Sequence, residues 1–526
     1  MAGQASKGFY VRKASGLVRQ WGLLETYAMN LAGWNVGVSL VVGPLAAAEA
    51  FPGADMFYVL LFGLLLSVFQ IMVYFILASA MPRSGGDYVW ISQNLHPALG
   101  FVSSWVFVVA LFLGLGTYSA WAINYVLSAG LLSIGLFANN SALINAAGLL
   151  STSNYTFVIG LLFLISAGAF IFLGAKYTGR ALKAGIIPAF WVAILVIWTL
   201  ATHSHADFVA SLNQLIPSDT YQDLLSQYAK AGGTFPPSSV WASLSAASVG
   251  FWAFLGITVS ATIGGEVKNP GRNQPLAMTL CALTSILVLF PIFEMWYSVI
   301  GWDFTSAVAF LTNAGTYPYA APATLNFLVG MLIPNMFLNV SLLFCMLWSI
   351  WTLILAMIAQ ISRLLFAYSF AQILPQKIAS VNDRLHSPVV ATGATVLAAA
   401  IMCALYVYTA AFSFIYNYST MITICFGVAC ISAIVFPFRK KDLFAASPHL
   451  VNAKVGPLPI ISILGILGAA GMWIVVWLGL VAGSMVANVF ILVVLISGVI
   501  IYYVARGYRL RQGVNLDLAF QELPPE

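Results

Sequence analysis

Charge is scarce in this sequence: only 7% of its residues are Asp, Glu, Lys or Arg, while 61% are hydrophobic. No water-soluble domain hides that much apolar surface, so the soluble globular and disordered classes are excluded. Cysteine is equally sparse. The five present, Cys281, Cys345, Cys403, Cys425 and Cys430, fall inside apolar runs, which argues against a disulfide framework and for packing. The histidines, His96, His203, His205, His386 and His449, sit in loops or at the ends of apolar runs, so an intramembrane enzyme has no convergent acid, histidine and nucleophile to work with. His203 and His205 with Asp207 hold the donors for an outer metal, but an ordinary polar loop is the expectation. A channel would need a filter motif or a ring of pore-lining charge, and neither is evident.

What is present is hydrophobic length. A span needs about 20 apolar residues, and the chain supplies about twelve such segments, which predicts an all-α polytopic membrane protein. The expected organisation is an N-terminal arm over 1–22, five spans over 23–203, an outer loop over 204–239, five spans over 240–436, two more over 437–507, and a tail over 508–526. Charge placement agrees: of the 21 Lys and Arg residues, only Lys230 falls on the outer side. By the positive-inside rule both termini are cytoplasmic, the compartment boundary is the cell membrane, and the pI near 9.0 reflects orientation with no call for nucleic acid. The first twenty residues are basic and poorly apolar, so the first span is read as the targeting signal.

Two spans differ from the rest. The first gathers Asn30, Gly33, Asn35, Gly37 and Ser39 at its centre, and the sixth, GFWAFLGITVSATIGGEVKNPGRNQP from Gly250, carries Gly256, Thr258, Ser260 and Gly264-Gly265. Helix breakers in hydrocarbon are costly unless the freed backbone groups face a cavity, an ion or a ligand. The competing reading is a continuous helix whose glycines only permit close packing. Breaks in the first and sixth spans are corresponding members of two five-helix halves, which predicts a 5+5 inverted repeat with discontinuous helices 1 and 6 plus two peripheral helices.

Other residues stand out singly. Tyr118, with Gly114 and Gly116, is placed to face a central cavity from the third span, and Glu294 is an acid inside the seventh. Ser349 and Thr352 lie one helical turn apart in the eighth. Glu49, near an outer end, reads as snorkelling. The turn PRSGGDYVW, with Gly85-Gly86 before Asp87, reads equally as a tight loop or a gate.

Three stretches carry a family resemblance: FWAFLGITVSATIGGEVKNPGRNQP from Phe251, PRSGGDYVW from Pro82, and SRLLFAYSFAQILP followed by VNDRLHSPVVAT. With them the chain resembles the amino acid–polyamine–organocation superfamily of permeases, which share the fold of the bacterial sodium-coupled leucine transporter. The resemblance implies secondary transport of amino acids by alternating access, with a small-molecule substrate, the lipid bilayer as the other partner, and no cofactor. It implies a substrate cradle of Gly33, Asn35, Val36, Gly37 and Val38 in the first helix, and of Phe251, Trp252, Gly256, Ile257 and Thr258 in the sixth, with Trp252 matching an aromatic gate.

The departures are informative as well. Val36-Gly37-Val38 replaces the usual Gly-x-Gly. Thr258 stands where some basic-substrate relatives place an acid, which points to neutral amino acids. Ala189 lies near the place of a lysine used by some proton-coupled relatives. The coupling ion is then H+, through Glu294, or Na+, through Ser349 and Thr352. Exchange of one amino acid or amine for another needs neither ion, and a transporter-like sensor would be expected to append a soluble domain.

Overall fold

The structure, a computed structural model, describes residues 18–319, 322–382, 387–409 and 417–516. Most of the expected N-terminal arm and part of the tail, together with Arg384 and His386, lie outside the described residues. Regular structure is almost entirely helical, with one two-stranded hairpin, β1 (Lys454–Val455) and β2 (Leu458–Pro459).

Two short helices, α1 (Leu23–Trp34) and α2 (Val36–Ala50), open the bundle. They are followed by α3 (Met56–Ala80), the short α4 (Asp87–Asn94), α5 (Pro97–Phe137), α6 (Ser153–Phe172) and α7 (Ala175–Thr202). The second half begins with two six-residue helices, α8 (Val240–Ser245) and α9 (Ala247–Trp252). Then come α10 (Pro270–Val299), α11 (Met336–Phe370), α12 (Val389–Tyr408), α13 (Tyr418–Arg439), α14 (Ile460–Ala482) and α15 (Met485–Arg511). Among the described residues, 10 helices are long and apolar enough to cross a membrane. The remaining two of the twelve expected spans are the first and sixth, which fall short because each is divided into pieces.

Asn35 makes the first break. Its backbone takes φ 53°, a left-handed value that asparagine tolerates better than most residues. The Asn35 N–H closes α1 on the Leu31 carbonyl, while its side-chain oxygen accepts the Val38 N–H at 2.9 Å and so caps α2. Its amide nitrogen donates to the Ser349 carbonyl on α11 at 2.6 Å, tying the break to the far side of the bundle.

The sixth span breaks differently. The α-helix stops at Trp252, four residues before Gly256, and the chain continues as a 3-10 helix through Leu255–Thr262. Isoleucine, threonine and valine after a glycine are weak helix formers, and tertiary bonds hold the looser winding. Asn30 accepts the Ser260 N–H at 2.8 Å, and Gln274 bonds both the hydroxyl and the carbonyl of Ser260.

Around these two breaks, α1 packs on the 3-10 segment, α10 and α11, while α13 packs on α5 and α14. Glycines set how close α14 comes: a Cβ on Gly471 would fall 2.3 Å from the Leu66 carbonyl oxygen of α3. The outward face of α15, with Leu492, Val493, Ile496 and Ile500 exposed, is peripheral.

A cavity between the two broken spans

The two breaks face one cavity, with a volume of about 50 Å³. Gly33, Asn35 and Val38 line it from the first span, Trp252, Gly256 and Thr258 from the sixth, and Tyr118 from α5. Of the other expected cradle residues, Val36, Gly37, Phe251 and Ile257 are next to the lining but do not contribute to it. The remaining wall is largely apolar and aromatic, with Phe107, Leu111, Leu353, Met357, Ile422 and Phe426.

Ser349 and Thr352 lie behind the cavity. The Ser349 carbonyl accepts both Asn35 Nδ2 and the Thr352 hydroxyl, the latter at 2.7 Å, while the Ser349 hydroxyl accepts the Gly37 N–H at 3.4 Å. Ser349 therefore braces the N-terminus of α2, while the Thr352 hydroxyl bonds within its own helix. Glu294 is exposed on α10 and does not line the cavity. In the polar loop, Asp207 accepts the N–H and hydroxyl of Ser204 to cap a helix, while His205 Nδ1 lies 2.9 Å from the Val299 carbonyl, so the polar groups there serve local structure.

Aromatic rings close one end. Trp252 Nε1 donates to the Tyr118 hydroxyl at 3.2 Å, and the Tyr118 and Tyr418 rings meet edge to face. These three side chains also line a second, smaller void that reaches Trp121.

The opposite end, which carries Arg83, Lys268 and Arg439, is closed by elements the sequence did not connect. Arg363 is 1% exposed and holds Glu266 in a two-pronged pair, Nε to Oε1 at 2.7 Å and Nη2 to Oε2 at 3.2 Å. The backbone around Glu266 is clamped as well: its carbonyl accepts the Gln20 and Trp21 N–H groups, and Lys268 N–H donates to the Trp21 carbonyl. The Gly85-Gly86 turn seals the same end. Both glycines have positive φ, and a Cβ on Gly86 would fall 2.9 Å from the Ala261 carbonyl oxygen, so the turn needs glycine there to fit under the 3-10 segment. The Gly85 N–H donates to the Thr262 carbonyl, and Asp87, the residue after the two glycines, enters the cavity wall. A carboxylate directly after a di-glycine turn was the one sequence signal for this part of the site.

The family model described as amino acid permease matches residues 22–504. This chain belongs to the amino acid permease family. The permease is thus an amino acid transporter and not an enzyme, and it crosses the membrane many times. It is 24% identical over 357 residues to the branched-chain amino acid permease of Lactococcus lactis subsp. cremoris, covering 67% of this chain and 69% of that one. The branched-chain amino acid permease of Bacillus subtilis is 23% identical over 367 residues, 68% of each chain. A glutamate/gamma-aminobutyrate antiporter of Lactococcus lactis subsp. cremoris is 26% identical over 209 residues, 39% of this chain and 35% of that one.

Proposed function

We propose that this permease moves neutral amino acids with apolar side chains across the cell membrane, binding them in the cavity between the two broken spans. The observation that carries this reading is the cavity wall: main chain from both breaks on one side, aromatic and aliphatic side chains elsewhere, and no Lys or Arg among the lining residues. A zwitterion fits such a site. Its carboxylate suits the N-terminal end of α2 and its ammonium the C-terminal ends of α1 and α9, because helix termini carry partial charges of those signs. A side chain of the leucine or valine type then lies against Phe107, Met357 and Phe426. The names of the branched-chain relatives support the same substrate class.

The end bearing Arg83, Lys268 and Arg439 faces the cytoplasm in this reading, following the bias of basic residues. Alternating access opens in turn the aromatic closure at Trp252–Tyr118 and the closure built on Glu266–Arg363. Uptake of labelled leucine, valine, glutamate and lysine into proteoliposomes tests the substrate class. Leucine or valine uptake well above that of glutamate and lysine is expected, and the reverse order overturns the reading. Solute exchange is the second mode, favoured by the antiporter among the relatives; uptake that requires amino acid inside the vesicle identifies it.

A further inference from the structure

Among the described residues, Asp87 is the one carboxylate that lines the cavity, and no cation pairs with it. It is 1% exposed at the start of α4. Its Oδ2 accepts the Tyr74 hydroxyl of α3 at 3.2 Å and the Cys425 thiol of α13 at 3.4 Å, and its Oδ1 accepts the Tyr88 N–H at 3.1 Å. The other nearby groups are also neutral: Tyr88 on its own helix and Tyr368 on α11, with Gln360 of α11 and Thr262 of the 3-10 segment lining the same cavity. Cys430 of α13 lies beyond Tyr74, and Ser103 of α5 beyond Cys425. The buried cation of this end, Arg363, is committed to Glu266.

A charge buried without a partner is unfavourable, and a carboxyl so placed relieves the penalty by taking up a proton. Hydroxyl and thiol groups are the partners that allow both forms, since each donates to the carboxylate and accepts from the carboxylic acid. Burial accordingly pushes the Asp87 carboxyl up to about 6, from an ordinary value of 3.8.

We propose that Asp87 is the proton-coupling residue of this permease, carrying one proton inward with each amino acid. The proposal rests on the cavity being the substrate site. When the cavity opens outward, a proton from its water forms an O–H bond on an Asp87 oxygen. After the cavity closes around substrate and reopens to the cytoplasm, that bond breaks and the proton passes to cytoplasmic water. No other bond changes, and a neutral substrate therefore moves with one net positive charge. The mechanical link is short: Asp87 follows the turn that hydrogen-bonds Thr262 of the broken sixth span, and its side chain ties α3 to α13. Neutralising it lets those elements close over the cavity without trapping a bare charge. Glu294, exposed on α10, has no such connection.

The test uses the full-length protein. In proteoliposomes with the voltage clamped at zero, an inward gradient of about two pH units drives leucine accumulation, up to about a hundredfold for one proton per substrate. Asp87→Asn is expected to abolish that accumulation, and Asp87→Glu to retain part of it. To separate lost coupling from lost folding, leucine binding to the purified protein is measured by calorimetry in phosphate and in Tris, whose ionisation heats differ. Wild type is expected to take up protons on binding near pH 6.5 (about half a unit above the value for Asp87) and Asp87→Asn to bind leucine with none. Proton uptake by Asp87→Asn equal to that of wild type overturns the proposal, as does wild-type leucine transport that moves no proton. Those two results leave the substrate assignment standing, whereas a wild-type protein that binds no amino acid overturns both.

Discussion

Gly33 and Gly256 meet backbone to backbone: a Cβ built on Gly256 would fall 2.0 Å from both the Gly33 carbonyl carbon and the Trp34 amide nitrogen. The crossing brings the two breaks together on one cavity, and it admits no side chain. Gly256→Val is expected to insert and assemble yet lose uptake by about a hundredfold, because displacement of about 1 Å at a site has that effect. Near-normal uptake by a correctly inserted Gly256→Val protein would show that the two breaks do not form the transport site.

Asn35 serves five partners at the first break, Leu31, Ala32, Val38, Ser39 and Ser349. Asn35→Gly keeps the left-handed backbone but loses the cap and the link to α11. Asn35→Ala loses those and strains the backbone too. Loss of a cap costs about 1 kcal/mol, so Asn35→Gly is expected to weaken leucine binding severalfold and Asn35→Ala further. Binding calorimetry on the two variants checks the order, and equal effects would mean that backbone conformation at this residue is immaterial.

The Glu266–Arg363 pair is buried on both sides, with each side chain 1% exposed. Removing one partner leaves the other charge uncompensated, at a cost of about 3–5 kcal/mol. Glu266→Gln and Arg363→Met are each expected to lower the melting temperature and loosen this end of the bundle. That loosening should let N-ethylmaleimide reach Cys425, which is fully buried and lies beside Asp87. The double variant should recover part of the lost stability. If Cys425 labelling, read by mass spectrometry, stays at the wild-type level in both single variants, the pair does not hold this end closed.

Asp87 also predicts a pH dependence of stability. Its folded value of about 6 lies above the ordinary 3.8, so the folded protein binds the proton more tightly than the unfolded chain does. The ionised carboxylate therefore destabilises the fold above about pH 6, by about 3 kcal/mol for a shift of about two units, and the penalty disappears below about pH 4. Asp87→Asn is expected to melt higher than wild type at pH 8, with the difference shrinking as the pH falls through 6. A constant offset at all pH values would mean that the carboxyl does not titrate in this range.

By itself the sequence determined the membrane class, the number of spans, and which two of them are interrupted. Those properties follow from hydropathy and from asparagine and glycine at depth, where the bilayer penalises any unpaired backbone group. The residues Gly33, Asn35, Val38, Tyr118, Trp252, Gly256 and Thr258 were legible for the same reason. Tertiary structure alone decided the rest. That Ser349 braces α2, that Glu294 is exposed and does not line the cavity, that Arg363 is buried against Glu266 and that Asp87 reaches the cavity all depend on which helix faces meet across the bundle. Sequence spacing fixes the angle of a side chain around its own helix axis. It leaves open the partner that fills the opposing face, since that pairing is set by contacts between residues as far apart as Asp87 and Cys425.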